Sequence, residues 1–502
     1  MRATSYLDNF YARLGISRVA TLDEIHQAYR NAARRFHPDA NKITGAHELF
    51  LLVQEAYETL SNREKRFAYD SSLPPDIDAP LSILVNTLYS RGQITPGERT
   101  QVIYVLMDLM AAGSVSVQNR PPLNVSLVLD SSTSMAGSRL SQVVKAANHF
   151  IEQLQPHDLI SVVSFNDRAE IVIPAQLGLD IRRSQSRISN LQTRGGTEIL
   201  QGLQLGLQEV QRNLQPNHIN HLVLITDGRT YGDEQACLNL AEQTSRLGVP
   251  ISAIGIGEEW NEDFIDQLVA KAGGSSLYAD RSTEISKLLD SRLNTISQCF
   301  ANNVRLYFET ATDSKLHYAF RFSPDLGVLP TESPLFLGAI PLETSLSVLL
   351  EFELNASRLK SGEMTLAEGE LRLDIPTLVI PSTKARFRLS RPVQEFEEAE
   401  ALSQTLINAM SKLSLYRMQE QARQDIEAGD LVGAAKRMRM LATHLLSGGH
   451  KSLAQTVLLA AEDIKKDGFF GEKTGKQIKY GTRALIAEQE LENAKSRRRG
   501  KK

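Results

Sequence analysis

From residue 123 onward the sequence alternates short, unbroken apolar runs with amphipathic stretches of helical period. No other feature restricts the fold as tightly. The runs are 125–129, 159–165, 221–226, 251–256 and a weaker 276–279; helices are expected near 138–153, 197–212, 234–247, 261–272 and 282–298. A strand apolar at every position has both faces covered, which is the mark of a parallel sheet between helices. Strand–helix alternation therefore predicts a doubly wound α/β unit. In such a unit ligands sit beyond the carboxyl ends of the strands.

Polar side chains gather at those ends. Asp130 follows the first run, with Ser132 and Ser134 in the turn after it, and Asp227 follows the run 221–226. Thr197, after Arg194-Gly195-Gly196, stands at a helix start. Each of these taken alone reads as a capped turn, because Asp, Ser and Thr favour caps and turns. Together they bring two carboxylates and three hydroxyls to one edge. An all-oxygen donor set suits Mg²⁺, or Ca²⁺ or Mn²⁺, rather than zinc or copper. Such an ion would still accept an anionic oxygen from a partner. His157, His218 and His221 are read as surface or strand-end residues, not ligands.

The first seventy residues have a different pattern. Thr21-Leu22-Asp23-Glu24 is a capping box. Ile25, Ala28, Tyr29, Ala32 and Phe36 then repeat at helical spacing. Arg30, Arg34 and Arg35 lie on the opposite face, with the acids confined to the first turn, as the helix dipole favours. His37-Pro38-Asp39 stops the helix, since proline cannot continue it. A second helix, near 44–60, carries a stripe of Phe50, Val53, Tyr57 and Leu60. The result is an antiparallel helical hairpin with a fixed tip and a basic flank.

These residues, with Asn9-Phe10-Tyr11 before them and Lys65-Arg66 and Tyr69-Asp70 after, resemble a J-domain (DnaJ-like) in order and spacing. The resemblance implies docking on a DnaK-type chaperone of the heat-shock 70 class and stimulation of that chaperone's ATPase. Tyr29, Arg30, Arg34 and Arg35 would be the docking surface, and His37, Pro38 and Asp39 the trigger. No Gly/Phe-rich linker or cysteine-rich zinc region follows, so the client chemistry of the best-known members does not transfer. The α/β unit resembles a von Willebrand A-type domain with a metal-ion-dependent adhesion site. The pattern is D-x-S-x-S, a later Thr and a later Asp, which Asp130, Ser132, Ser134, Thr197 and Asp227 fill in order. That resemblance implies a divalent metal, Mg²⁺ or Ca²⁺ or Mn²⁺, and a protein partner supplying an acidic residue to it.

The remainder divides by pattern. Segments near 304–308, 317–322, 346–352, 370–373 and 385–389 read as strands without intervening helices, which predicts an antiparallel β-sandwich. Residues 81–110 are also strand-like and are expected to join it, making the α/β unit an insertion. The last part is helical, with Asp430 capping a helix that carries Ala434, Ala435, Met438 and Leu441. The expected organisation is a multidomain chain. It comprises a J-domain at 6–72, a linker at 73–80, and early strands of the sandwich at 81–120. The A-type domain follows at 121–299, then the sandwich at 300–392, a helical bundle or hairpin at 393–468, and a basic, partly disordered tail at 469–502.

Composition narrows the function. The 56 basic and 59 acidic side chains give a net charge of −3, which argues against a general pull on nucleic acid or membrane. Two cysteines without zinc-site spacing suit a reduced compartment, and no apolar run reaches the roughly 18 residues of a membrane span. With no secretory h-region apparent, a cytoplasmic protein is expected. No Gly-x-Ser-x-Gly elbow, phosphate loop or His-Glu-x-x-His helix is present, so the chain is read as a non-enzyme. The leading expectation is a co-chaperone adaptor. The alternative is a metal-dependent interaction scaffold whose J-domain does not stimulate a chaperone.

Overall fold

The computed structural model describes residues 9–36, 46–73, 83–112 apart from 98, 120–394 apart from 231, 360–361 and 379–380, and 402–485 apart from 448, 468, 470 and 472. The chain opens with four helices, α1 (Phe10–Leu14), α2 (Leu22–Phe36), α3 (Ala46–Leu60) and α4 (Arg63–Ser72). The capping box forms as expected. The Thr21 amide donates to Glu24 Oε2 at 2.7 Å, and the Glu24 amide donates to Thr21 Oγ1 at 3.3 Å. Ile25, Ala32 and Phe36 meet Val53, Ala56 and Leu60 in the hairpin core. Arg66 ties the far end, donating to Tyr11 Oη at 2.9 Å and to the carbonyls of Arg18 and Ala20. The same core continues into Leu84, Met110 and Ala112, so the helical unit is seated on the strands that follow.

Those strands are β1 (Ile83–Tyr89) and β2 (Thr100–Ala111). They pair antiparallel, and β2 then pairs along its length with a strand from far downstream, β13 (Leu346–Asn355), from Leu109↔Leu346 to Thr100↔Asn355. Between β2 and its partner the chain builds the α/β unit. This contains β3 (Leu123–Asp130), α5 (Ser138–Glu152), β4 (Leu159–Phe165), β5 (Ala169–Gln176), α6 (Ile181–Ser189), α7 (Ile199–Gln211), β6 (Ile219–Thr226), α8 (Glu234–Arg246), β7 (Ile251–Ile256), α9 (Glu262–Lys271), β8 (Ser276–Ala279) and α10 (Ile285–Ser297). Its six-stranded sheet has the order β5-β4-β3-β6-β7-β8, parallel except for the edge strand β5. Every residue of β3, β4, β6 and β7 is buried, as a sheet covered on both faces requires. The sequence reading omitted β5 and α6.

The chain returns to the sandwich with β9 (Cys299–Thr310), β10 (Ser314–Ser323), β11 (Gly327–Leu329), β12 (Leu335–Pro341), the strand β13 already placed, β14 (Gly362–Asp374) and β15 (Ser382–Val393). One sheet runs β1-β2-β13-β10-β11 and the other β12-β9-β14-β15. Their facing sides bury Ile103, Val105, Val348, Phe352, Leu306 and Leu371, each worth about 1.5–3 kcal/mol when withdrawn from water. The sandwich meets the α/β unit through buried charge. Arg321 on β10 donates to the Gly274 carbonyl at 2.5 Å and the Leu337 carbonyl at 3.0 Å, and Arg292 on α10 pairs with Asp325 at 2.6 Å.

Three long helices follow, α11 (Gln404–Glu427), α12 (Leu431–Ser447) and α13 (Lys451–Asp467). Leu406, Ala409, Leu413 and Tyr416 of α11 cover Leu106, Phe320 and Leu349 on the outer face of the five-stranded sheet. Asp430 caps α12, accepting from the Gly433 amide at 2.9 Å. A further helix, α14 (473–485), corrects the expectation of a basic tail from residue 469. Two of its basic residues are held inward because an acid on α9 faces them: Lys479 lies 2.9 Å from Asp266, and Arg483 2.6 Å from the same carboxylate. Ile478 joins the core of α12 and α13, and Tyr480 joins that of the α/β unit. Lys495, Arg497, Arg498, Arg499, Lys501 and Lys502 lie outside the described residues. Among the described residues no helix is long and apolar enough to cross a membrane.

Candidate functional site

The carboxyl ends of β3 and β6 lie side by side at the centre of the α/β sheet. Asp130 closes β3 and Asp227 follows β6, and both are fully buried. The turn after β3 is pinned first. The Ser131 amide donates to the Phe165 carbonyl at 2.7 Å, and the Arg194 amide donates to the Ser131 carbonyl at 2.9 Å. Thr133 reaches across the same gap, its Oγ1 donating to the Gly195 carbonyl at 2.9 Å. Gly195 has φ 66°, the left-handed region that glycine enters without strain. The 194–197 loop is thereby folded over the 131–134 turn.

The five residues singled out in the sequence converge here. Asp130 Oδ1 accepts from the Ser132 amide at 2.8 Å. Ser132 Oγ and Ser134 Oγ stand 3.0 Å apart, and Ser134 Oγ donates to Asp227 Oδ1 at 2.7 Å. Thr197 is brought in by packing. A Cβ on Gly228 would stand 2.7 Å from Thr197 Oγ1, so only glycine after Asp227 leaves that hydroxyl its place. Two residues that the sequence reading passed over complete the cluster. Thr226 Oγ1 donates to Asp130 Oδ2 at 2.6 Å, and Arg139 forms an ion pair with Asp227 Oδ2. Thr226 could have been found as the neighbour of Asp227. A lone arginine at a helix start carries no comparable signal.

Burial pushes the Asp130 carboxyl up to about 6, against the bonds from Ser132 and Thr226 that favour its charged form, and the nearby charge of Asp227 adds to the rise. Loss of water disfavours the charged form of such a carboxylate, and a cation beside it would favour that form. Among the described residues no three His, Cys, Asp or Glu side chains gather to hold a metal, so an ion here would lean on the hydroxyls. The donors are all oxygen, two of the five residues are buried carboxylates, and one guanidinium is the only cation paired with them in the described residues. That donor set fits a hard divalent cation. His221 is buried, with Nε2 2.9 Å from Ser252 Oγ, and its pKa is pushed down to about 3 by burial.

The second candidate surface is the basic flank of α2. Arg30 and Arg34 are exposed, while Tyr29 is half-buried and stacked on Tyr57 with ring centroids 4.0 Å apart. Tyr29 therefore shapes the flank from beneath. The Arg35 side chain and residues His37, Pro38 and Asp39 lie outside the described residues.

Three segments match protein families: a DnaJ domain over residues 9–70, a von Willebrand factor type A domain over 124–291, and an Sll0103-like C-terminal alpha-helical domain over 404–488. Over 348 residues the chain is 28% identical to the uncharacterized protein sll0103 of Synechocystis sp., covering 66% of this chain and 81% of that one. Over 61 residues it is 59% identical to the chaperone protein DnaJ of Streptococcus agalactiae, which is 12% of this chain and 16% of the chaperone. Among solved structures, a von Willebrand factor type A protein from Catenulispora acidiphila superposes with a TM-score of 0.63 at 16% identity, covering 80% of this chain and 96% of that one. The ArnB paralog VWA2 from Sulfolobus acidocaldarius superposes with a TM-score of 0.51 at 14% identity, covering 81% and 99%. Likeness at these identities is of fold alone.

Proposed function

We propose that this chain, which carries a J-domain and a von Willebrand A domain, is a co-chaperone adaptor. Its J-domain recruits a DnaK-type chaperone and stimulates ATP hydrolysis there. Its A domain holds a protein client through a divalent cation. The observation that carries the proposal is the presence of two interaction surfaces of different chemistry in one chain. One is the basic flank of α2, ending in His37-Pro38-Asp39, in a segment 59% identical to a chaperone protein DnaJ. The other is the oxygen cluster at the carboxyl edge of the α/β sheet.

In the first role Arg30, Arg34 and Arg35 supply cationic contacts along one helical face, and His37, Pro38 and Asp39 form the trigger at its end. In the second, Asp130, Ser132, Ser134, Thr197 and Asp227 hold Mg²⁺, or Ca²⁺ or Mn²⁺. The ion supplies a Lewis-acidic position that an acidic side chain of a partner can complete. The chain's own residues set what can bind. Thr226 fixes one oxygen of Asp130, Ser134 fixes one of Asp227, and Gly228 leaves room for Thr197.

The test is steady-state ATP turnover by a DnaK-type chaperone with and without the full-length protein. Wild type should raise the rate several-fold, and His37→Gln should abolish the increase. Equal rates with the two proteins would leave the scaffold reading, in which the J-domain only docks. Client capture is tested separately, by affinity purification from the native cell with and without chelator, comparing wild type with Asp130→Ala. Capture unaffected by both changes removes the metal from the proposal.

A further inference from the structure

Arg139 lies at the start of α5, and its guanidinium is the cation of the carboxylate cluster. Nη1 pairs with Asp227 Oδ2 and also donates to the Ser134 carbonyl at 3.2 Å. Its other edge rests against the turn after β7, where a Cβ on Gly257 would stand 3.1 Å from Nη2. That turn is itself held from two other sides. Arg229 Nε donates to the Glu259 carbonyl at 2.7 Å, and Lys476 on α14 donates to the Trp260 carbonyl at 2.8 Å and to the Glu258 carbonyl. The guanidinium therefore has a built seat, with its charge aimed at a carboxylate that the metal reading needs.

We propose that Arg139 is the resident cation of this site and that a divalent ion binds by displacing it from Asp227. The inference rests on the metal reading above and specifies how that site is regulated. Charge supports exchange. Asp130, Asp227 and Arg139 together carry −1, whereas a divalent ion beside an unmoved guanidinium would leave +1 around two fully buried carboxylates. Two cations held against the same carboxylate repel each other, the more so as both carboxylates are fully buried. In the structure Oδ2 of Asp227 is held by the guanidinium; in the exchange model that carboxylate would be released to the metal when Arg139 leaves. Arg139 is one-third exposed, so its side chain can leave toward solvent without unfolding the turn it leans on. An internal competitor of this kind sets a threshold of metal concentration. An arginine that merely positioned Asp227 would instead assist the metal.

The two roles predict opposite results. Isothermal titration of Mg²⁺ and of Mn²⁺ into the full-length protein is compared among wild type, Arg139→Gln, Arg139→Lys and Asp227→Asn. The exchange model expects Arg139→Gln to bind at least about tenfold more tightly than wild type. Arg139→Lys should resemble wild type, and Asp227→Asn should bind neither ion. Thermal unfolding gives an independent readout, since the rise in Tm on adding metal should be larger in Arg139→Gln than in wild type. If the glutamine variant does not fold, Arg139→Met takes its place. Equal or weaker binding by the neutral variant, with wild type still binding, overturns exchange and leaves the metal reading standing. Absence of binding in wild type and in the neutral variant alike overturns both.

Discussion

Asp130, fully buried, and Asp266, partly buried, are both aspartates of the α/β domain, and their surroundings have moved them in opposite directions. Asp130 sits at the sheet edge with hydroxyls and an amide as partners, and loss of water raises its pKa to about 6. Asp266 sits on α9. Burial alone would raise it too, but Arg483 and Lys479 outweigh that cost and hold it well below the ordinary carboxylate range. The difference lies in the supply of fixed positive charge. At Asp266 the cations are covalently part of the protein, so the cluster is complete and serves to clamp α14 in place. At Asp130 and Asp227 one guanidinium faces two carboxylates, and the remaining demand suits an ion from solution. A buried acid surrounded by cations is thus a fastening, and one surrounded by neutral donors is a candidate receptor.

The comparison can be broken by substitution. Asp266→Asn should be the most damaging change, because it takes the carboxylate from Arg483 and removes the nearest of the acids around the buried Lys479, leaving Asp263 at 3.2 Å. Removing one partner of a buried pair costs about 3–5 kcal/mol. The loss would be read as a lower urea midpoint and as early cleavage near 473–485 in limited proteolysis. Acid should act on the same cluster. The folded pKa of Asp266 lies below the unfolded value of 3.8, so the unfolded chain takes up the proton first. Its contribution is complete above pH 4 and is lost as the pH falls toward the folded value. Release of α14, followed by tryptophan fluorescence because Trp260 and Tyr480 are in contact, should begin below pH 4 in wild type. In Asp266→Asn it should already be present at neutral pH.

Asp227→Asn should have an intermediate effect. It weakens the partner of Arg139 and the acceptor of Ser134, at about 1–3 kcal/mol, and removes any stabilisation by metal. Differential scanning calorimetry with and without Mg²⁺ separates the two parts. Asp130→Asn should be the mildest in metal-free protein, within about 1 kcal/mol, since it trades two hydrogen bonds for relief of a charge that burial disfavours. It should nevertheless abolish the response to metal. If Asp130→Asn cost as much as Asp266→Asn without metal, the contrast between receptor and fastening would be lost.

The same contrast governs what could be seen in the sequence. The parallel strands were legible because continuous apolar runs such as 125–129 and 221–226 have few other destinations. The polar cluster was legible because each of its members follows a strand or opens a helix. Edge strand β5 was not, since its half-exposed residues, with Pro174 among them, neither alternate cleanly nor run continuously apolar. Arg139 and the cations of α14 were missed for a common reason. A basic side chain reads as solvated unless its partner is known, and Asp227, Asp263 and Asp266 are distant in sequence. Lys476, Lys479, Tyr480 and Arg483 do carry the helical spacing, which in retrospect marks one face.

The pairing of β2 with β13 bears on the order in which the molecule is made. During synthesis, Thr100–Ala111 emerges long before Leu346–Asn355, and the entire α/β domain is translated in between. At about 5–20 residues per second the early hairpin waits on the order of ten seconds or more for its neighbour. Throughout that interval Ile103, Val105 and Leu109 lack the opposing sheet that covers them in the finished protein. The helical unit seated on Leu84 and Met110 is already complete on the nascent chain by then. The apolar strand left waiting therefore stands on the same nascent chain as a finished helical unit.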